Sequence, residues 1–277
     1  MTMFNTVIPR GWYFISYLKK LNRKKQIEFS YFGGRLTLIT KTLKASLNYL
    51  VDNTIIRNHS LPTLLYKDMI FVYYSEHGNP STKEEELSLI NKLISIQHFD
   101  HRTTSTYCTK VPTSLFNLSE NIVDSAHFPI VHSHLSSLEI EDFITEPYSF
   151  VLKIKLITSR ILLFISPMSL DIKFTSMSIG TGFFAVYSRM IEWECITFLT
   201  PINHSTTQIV LYGNLHKMFF FPKFLNPLFN IFFVTTFGRT ILQDINIWKK
   251  REITHQPVLS TADGPIMKFR NWYSKFI

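Results

Sequence analysis

The strongest constraint on the fold is a series of strand-like segments followed by one long apolar helix. Between residues 148 and 211, apolar and polar side chains alternate in segments separated by turn residues such as Gly180 and Pro201, a pattern typical of antiparallel strands. After Pro227, a residue favoured in the first helical turn, apolar side chains recur every three to four residues as far as Trp248. This order predicts an α+β fold in which a curved antiparallel sheet wraps on a long C-terminal helix, with room for an apolar ligand between them.

The first 80 residues predict a small β-rich unit. Its strand-like segments lie at residues 11–15, 28–32, 35–40 and 69–74. Gly33–Gly34 predicts a hairpin turn, and residues 48–59 have no clear assignment. A polar stretch follows, in which Glu84–Glu86 lie in the first turn of a helix, where the helix dipole favours acids. The predicted domains are therefore 1–80 and 81–277.

The chain of 277 residues has a formal net charge of +9, and its basic residues cluster at 19–25, 249–251 and 268–275. No zinc-finger spacing or aromatic RNA-binding motif accompanies these clusters, so nucleic acid is not an expected partner. A solvated face, an acidic protein partner or an anionic membrane surface would account for the charge.

The two cysteines, Cys108 and Cys195, provide neither a disulfide framework nor a CxxC metal site, which favours a reducing, cytoplasmic compartment. The first twenty residues lack the apolar core of a signal peptide. The most apolar window, residues 218–238, is interrupted by Pro222 and Lys223, so its uninterrupted part is too short to span a bilayer. We interpret it as a buried or interfacial segment, which leaves membrane association open.

Candidate metal ligands lie in a run of mostly apolar residues that follows a strand-like stretch at 98–118. Asp124 and His127 are three residues apart, so on a helix they share a face. His132 follows past Pro129, which is expected to kink or end that helix. Neutral imidazoles in this arrangement suit a divalent first-row metal, whereas the alternative is a helix with two surface histidines.

A carboxylate far downstream offers a further ligand. Asp244 lies on the mostly apolar C-terminal helix, and Arg239, five residues earlier, is not placed to be its i,i+4 partner. Two histidines with one carboxylate would form the open-sided triad of non-haem Fe(II) oxygenases. The alternative is a surface aspartate on the polar face of the helix.

Several short motifs combine these residues with their neighbours. They are Asn121-x-x-Asp124-x-x-His127-x-x-x-x-His132, Thr200-Pro201, Thr206-Thr207-Gln208, Gln243-Asp244-Ile245-x-Ile247-Trp248, Asp263-Gly264-Pro265 and Arg270-Asn271-Trp272-Tyr273. Together they resemble the catalytic domain of Rieske non-haem iron oxygenases, in the branch that contains 3-ketosteroid 9α-hydroxylase and cholesterol 7-desaturase. The resemblance covers roughly residues 60 to 277 and implies a helix-grip, START-like catalytic domain.

The resemblance implies a metal centre and its surroundings. His127, His132 and Asp244 would ligate one Fe(II) ion, leaving positions open for dioxygen beside the substrate. Asn121 and Gln243 would support these ligands from neighbouring positions.

The resemblance also assigns a role to Asp124 as a catalytic carboxylate. It would hydrogen-bond a ligand histidine and reach toward the Rieske cluster of a neighbouring subunit in a trimer. Such a partner carboxylate orients its histidine and raises its basicity. His134 matches no ligand of the family and is interpreted as a bystander.

The chain departs from the family in its electron supply. A Rieske 2Fe-2S cluster needs Cys-x-His and, further on, Cys-x-x-His, and this sequence contains neither pattern. The flanks of a Rieske domain nevertheless resemble residues 9–13, 31–36 and 69–72, so that the cluster-bearing section is missing between about 46 and 60. The first 80 residues are thus predicted to be a small all-β remnant that encodes no cluster.

Three hypotheses follow. The chain is an oxygenase component that hydroxylates or desaturates an apolar ring substrate such as a sterol, with electrons from a separate ferredoxin, Rieske protein or intact homologue. Alternatively, it is a catalytically degenerate paralogue that binds a lipid or sterol or regulates an intact homologue within a homotrimer or heterotrimer. The third hypothesis is a truncated or mis-spliced product.

Overall fold

The computed structural model describes most of the chain. The described residues are 4, 6–21, 24–51, 54–96, 104–132, 135–158, 168–219, 221–250 and 264–277. The helices are α1 (Leu18–Leu21), α2 (Lys83–Ser95), α3 (Leu115–Asn121), α4 (Phe128–Val131), α5 (Asn226–Gln243), α6 (Ile245–Lys250) and α7 (Ile266–Tyr273). The strands of the first part are β1 (Gly11–Tyr17), β2 (Gln26–Tyr31), β3 (Gly34–Ile39), β4 (Lys44–Val51), β5 (Thr54–Leu61), β6 (Thr63–Tyr66) and β7 (Met69–Tyr74). The later strands are β8 (Ser105–Val111), β9 (Leu135–Thr145), β10 (Phe150–Thr158), β11 (Met168–Ser178), β12 (Thr181–Tyr187), β13 (Ile191–Asn203) and β14 (Thr206–Met218).

The strands form three antiparallel sheets. The largest has the order β8-β14-β13-β12-β11-β10-β9, so its strands follow the chain except that β8 pairs with the last strand. Two smaller sheets have the orders β2-β3-β4-β5 and β1-β7-β6. The prediction of an α+β protein with antiparallel sheets is therefore confirmed.

Elements with strong local signals form as predicted. Strand β7 covers Met69–Tyr74 and is buried along its whole length. Gly33 has a φ of +73°, a conformation that glycine adopts readily, and turns β2 into β3. The hydroxyl of Thr82 accepts a hydrogen bond of 3.1 Å from the backbone N–H of Glu85 and caps α2.

Other elements differ from the predictions. Within the unassigned stretch 48–59, residues 48–51 belong to β4 and residues 54–59 to β5, and the two strands pair with each other. The predicted strand-like stretch 98–118 is a strand only over β8. Its end is helical because Ser114 caps α3, and 97–103 lies outside the described residues.

The segment that contains Asp124, His127 and His132 does not form the expected single helix. Helix α3 ends at Asn121, and Asp124 lies in the non-helical segment before α4. Pro129 does not end a helix but occupies the first turn of α4, where its missing N–H needs no partner. The prediction that Asp124 and His127 share a helix face is therefore wrong, although both still lie near the site.

Helix α5 packs across β8 and β14 of the large sheet. The buried side chain of Asn230 accepts a hydrogen bond of 3.1 Å from the Trp193 indole and donates one of 2.7 Å to the Gly213 carbonyl. Gly238 lets the helix approach the sheet, because a Cβ atom there would lie 2.4 Å from the ring of Tyr107. These contacts fix the distance between α5 and the sheet.

The N-terminal strands pack against the later part of the chain. The Thr200 hydroxyl donates a hydrogen bond of 2.8 Å to the Phe14 carbonyl, and the Ser178 hydroxyl donates one of 3.0 Å to the Trp12 carbonyl. The rings of Phe14 and Phe198 stack with their centroids 4.0 Å apart. Apolar packing thus crosses the predicted boundary near residue 80.

A buried ion pair joins α3 to α7. The Arg270 guanidinium donates hydrogen bonds of 2.5 and 2.9 Å to the two carboxylate oxygens of Glu120, whose side chain is fully buried. This bidentate geometry is the strongest form of such a pair. It fixes the last turn of α3, where Asn121 follows Glu120.

A second polar cluster lies near the ends of β13 and β14. The imidazole Nε2 of His216 lies 2.7 Å from a carboxylate oxygen of the buried Glu194. This hydrogen bond is the main cause that raises the pKa of His216 above its ordinary value of 6.5.

None of the described helices is both long enough and apolar enough to cross a membrane.

We predict that Arg270→Met lowers the free energy of unfolding by about 3 to 5 kcal/mol, because Glu120 is left as an unpaired buried charge. Denaturant unfolding followed by circular dichroism measures this. The double variant Arg270→Met/Glu120→Leu should recover most of the loss. As a control, Lys153→Met removes the exposed Lys153–Asp142 pair and should cost less than about 1 kcal/mol. A single variant as stable as the parent would contradict the assigned pair.

A pH dependence follows from His216. Because its pKa is raised in the folded state, its contribution to stability is fully present below the unfolded pKa of about 6.5 and disappears as the pH rises through the folded pKa. His216→Asn should therefore destabilise the protein more at pH 5.5 than at pH 8.5 (pH values chosen as roughly one to two units either side of that pKa). Unfolding curves of parent and variant at both pH values test this, and an equal difference at both would contradict it.

Candidate metal centre

Three helix ends bring the predicted ligands together. His127 immediately precedes α4 and His132 immediately follows it. Asp244 lies at the junction where α5 ends and α6 begins. All three residues are buried, and one ligand atom from each lies within 4.8 Å of the others.

The distances fit a single metal ion. Asp244 Oδ1 lies 3.5 Å from His132 Nε2 and 3.9 Å from His127 Nε2. Two ligands that each lie about 2.1 Å from one ion are separated by about 3 Å at a right angle and about 4.2 Å when opposite. The two separations from Asp244 lie inside this range.

The hydrogen bonds of the imidazoles fix which nitrogen faces the centre. His127 Nδ1 lies 2.6 Å from the backbone carbonyl of Asp124, and His132 Nδ1 lies 2.8 Å from Gln243 Oε1. A carbonyl oxygen can only accept, so each Nδ1 carries the proton. Each Nε2 therefore presents a lone pair toward Asp244, the tautomer that a metal ligand requires.

A hydrogen bond also orients the carboxylate of Asp244. Asn121 Nδ2 donates a hydrogen bond of 2.7 Å to Oδ2, while Oδ1 accepts none from the described part of the chain. Burial raises the pKa of Asp244 to about 6, with a smaller contribution from the charge of Asp124, against the opposing effects of His132 and Asn121. A divalent cation at Oδ1 would satisfy this buried oxygen and favour the ionised carboxylate.

The carboxylate of Asp124 lies beside the centre, not in it. Its Oδ1 is 3.9 Å from His127 Nδ1, which is longer than a hydrogen bond, and the backbone carbonyl of the same residue takes the bond instead. The side chain is partly exposed. The carboxylate is therefore accessible to solvent beside the candidate ligand His127.

An apolar cavity of about 280 Å³ adjoins the metal centre. His132, Asp244 and Asn121 contribute to its wall, and most of the other lining residues are aliphatic or aromatic. The further polar residues of the wall are Thr197, Thr236 and Thr240. The volume is close to the lower end of the range for small-molecule sites, which are mainly apolar with a few placed polar groups.

All six residues selected from the sequence meet at this site, whereas His134 and Asp263 lie outside the described residues. Sequence reasoning missed the cavity wall. It is formed by inward-facing positions of several strands and by one face of α5, and only the alternation within each strand carried a signal for it.

Fold and site together indicate the class of protein: residues 72–277 form a catalytic domain of the Rieske oxygenase type. The model of the 3-ketosteroid 9alpha-hydroxylase C-terminal domain family matches residues 72–277. The chain belongs to that family.

Two curated relatives match over shorter stretches. Cholesterol 7-desaturase nvd of Drosophila melanogaster is 32% identical over 81 residues, which cover 28% of this chain and 17% of that protein. The oxygenase component of 3-ketosteroid-9-alpha-monooxygenase of Rhodococcus rhodochrous is 41% identical over 39 residues, which cover 14% of this chain and 10% of that protein. Each match spans only a small part of the relative.

Solved structures share the fold at low sequence identity. Dicamba monooxygenase bound to dicamba aligns with a TM-score of 0.61 at 12% identity, covering 98% of both chains. NdmA of Pseudomonas putida CBB5 with caffeine aligns with a TM-score of 0.58 at 10% identity, covering 95% of this chain and 89% of that one. These likenesses extend through the N-terminal strands as well as the family domain.

Removal of the hydrogen bonds that orient the candidate ligands should lower the affinity for a metal ion. Gln243→Ala and Asn121→Ala remove the partners of His132 and Asp244 and should weaken binding of a divalent metal about 10- to 100-fold. Chelator competition with Fe(II) under anaerobic conditions measures the dissociation constants. The exposed Asn246→Ala, near Asp244 on α6, is the matched control and should not change them. Unchanged affinity in both test variants would contradict the assigned geometry.

Proposed function

We propose that His127, His132 and Asp244 bind one Fe(II) ion, and that the chain is the oxygenase component of a dioxygen-dependent hydroxylase or desaturase. The observation that carries the proposal is the convergence of three buried ligand atoms beside an apolar cavity. Fe(II) held by two histidines and one carboxylate supplies open coordination positions at which dioxygen is activated.

The neighbouring residues would prepare the ligands for this ion. Gln243 and the Asp124 carbonyl hold the two imidazoles with Nε2 toward the centre, and Asn121 holds Asp244. The apolar wall excludes water from the reacting groups, which strengthens electrostatic interactions inside the site. We assign to the Asp124 carboxylate the role of the link between His127 and an electron donor at the surface.

The proposed substrate is an apolar ring compound, sterol- or steroid-like. The cavity wall offers aliphatic and aromatic contacts with three threonine hydroxyls, which suits a ligand with few polar groups. The family name and the names of both curated relatives support the same substrate class.

The electrons would come from a separate ferredoxin, Rieske protein or intact homologue, within a homotrimeric or heterotrimeric assembly. This part of the proposal rests on the sequence, which lacks the Cys-x-His and Cys-x-x-His patterns of a 2Fe-2S site. We propose that residues 1–80 are a Rieske-like remnant and that 81–277 form a helix-grip catalytic domain. The family match starts at residue 72, close to this boundary.

The missing cluster ligands favour a second candidate function. A paralogue without electron supply could use the same cavity to bind a lipid or sterol and regulate an intact oxygenase. The two functions differ in whether the chain binds iron and whether it oxidises a substrate.

Iron content separates them. Chain loaded anaerobically with Fe(II) should hold about one ion, as expected for a single two-histidine, one-carboxylate site. His127→Ala and Asp244→Ala should lose it, whereas the exposed His77→Ala should keep it. Inductively coupled plasma analysis after desalting measures the content, and circular dichroism confirms that the variants fold.

An iron-free parent would exclude the oxygenase function and leave the regulatory one. If iron binds, peroxide-driven oxidation of a sterol tests the chemistry without an electron donor. Oxidised product that is absent from the Asp244→Ala reaction would support the oxygenase.

A further inference from the structure

The surface around the start of α5 is unusually apolar. Fifteen large apolar side chains are strongly exposed among the described residues, and six of them fall within residues 219–232. We call these six the α5 patch. Its members, with their exposed fractions, are Phe219 (68%), Phe221 (39%), Phe224 (78%), Leu228 (64%), Ile231 (55%) and Phe232 (44%). Contiguous apolar surface of this kind marks an interaction site.

The α5 patch is held in place by the fold. The Asn226 side chain donates hydrogen bonds of 3.3 Å to the carbonyls of Leu215 and His216 at the end of β14. The rings of Phe221 and Phe229 pack with their centroids 4.5 Å apart. The exposed side chains therefore project from an anchored helix start.

The charges next to the patch are basic. Lys223 lies within it, and Arg239 lies two turns beyond Phe232 on the exposed face of α5. The sequence has no acidic residue between Glu194 and Asp244. Lys217 contributes less, because Glu192 lies opposite it on β13. Exposed aromatic and aliphatic side chains with neighbouring basic residues are the composition that binds the interface of an anionic bilayer.

The patch is continuous with the cavity. Phe232 belongs to the α5 patch and also to the cavity wall, where it is followed by Phe233 and Thr236. We propose that the α5 patch docks the protein on an anionic lipid surface, with the cavity entrance against the lipid. Resting on the proposed function, this docking would let an apolar substrate pass from the bilayer to the metal centre without crossing water.

Vesicle sedimentation tests the docking. Purified protein should sediment with vesicles of phosphatidylcholine and phosphatidylserine and more weakly with phosphatidylcholine alone. Phe224→Ser/Leu228→Ser should reduce the partition coefficient at least about tenfold, because both side chains lose their burial in the interface. Lys223→Gln/Arg239→Gln should remove most of the preference for phosphatidylserine and the sensitivity to salt.

Leu87→Ser is the matched control, since Leu87 is also a leucine exposed on a helix (54%), and it should bind like the parent. A parent that sediments with neither vesicle, or a patch variant that binds as well as the parent, would overturn the proposal. Patch-dependent dimers in analytical ultracentrifugation without lipid, and no vesicle binding, would assign the surface to a second copy of the chain instead. Vesicle binding requires no iron, so the docking proposal can be wrong while the proposed function holds, and the reverse.

Discussion

The structure depends on the burial of a carboxylate at the junction of two helices. Asp244 is almost completely enclosed, and an isolated buried charge would cost several kcal/mol, so its surroundings must stabilise it. Asn121 satisfies one oxygen, while two imidazole nitrogens face the other at 3.5 and 3.9 Å. A cation would stabilise this second oxygen. The hydrogen bonds of both histidines engage Nδ1, which leaves the Nε2 lone pairs directed toward Asp244. The group of His127, His132 and Asp244 could therefore hold a metal ion.

That arrangement requires α3, α4 and α5 to meet at fixed distances. The Glu120–Arg270 pair ties the end of α3 to α7, so α7 helps to fix the position of Asn121. On the other side, Asn230 and Gly238 set how closely α5 approaches the sheet. The same spacing leaves the apolar cavity between helix and sheet, so the cavity and the candidate metal centre have a common structural cause.

The chain combines a candidate metal site with a sequence that lacks the ligands of a 2Fe-2S cluster. Two of the three candidate ligands, Asp244 and His132, are hydrogen-bonded to residues 123 and 111 positions away in the sequence. The N-terminal sheets lack cluster ligands yet pack tightly on the large sheet through Phe14, Phe198 and their neighbours. These strands contribute packing to the molecule, and under the proposed function the electrons come from a separate protein.

The amino-acid sequence by itself determined the elements whose signals are local. The apolar run Met69–Tyr74 formed a strand and Glu84–Glu86 lie in the first turn of a helix, as predicted. The motifs that contain His127, His132 and Asp244 were sufficient to select three residues that meet in the fold. Only the tertiary structure showed that the chain is not helical at Asp124 and that Gln243 contacts His132. It also showed that His127 is hydrogen-bonded to the backbone carbonyl of Asp124 and not to its carboxylate. Periodicity and capping act over a few residues, whereas the contact between Gln243 and His132 joins residues 111 positions apart and depends on how α5 packs on the sheet.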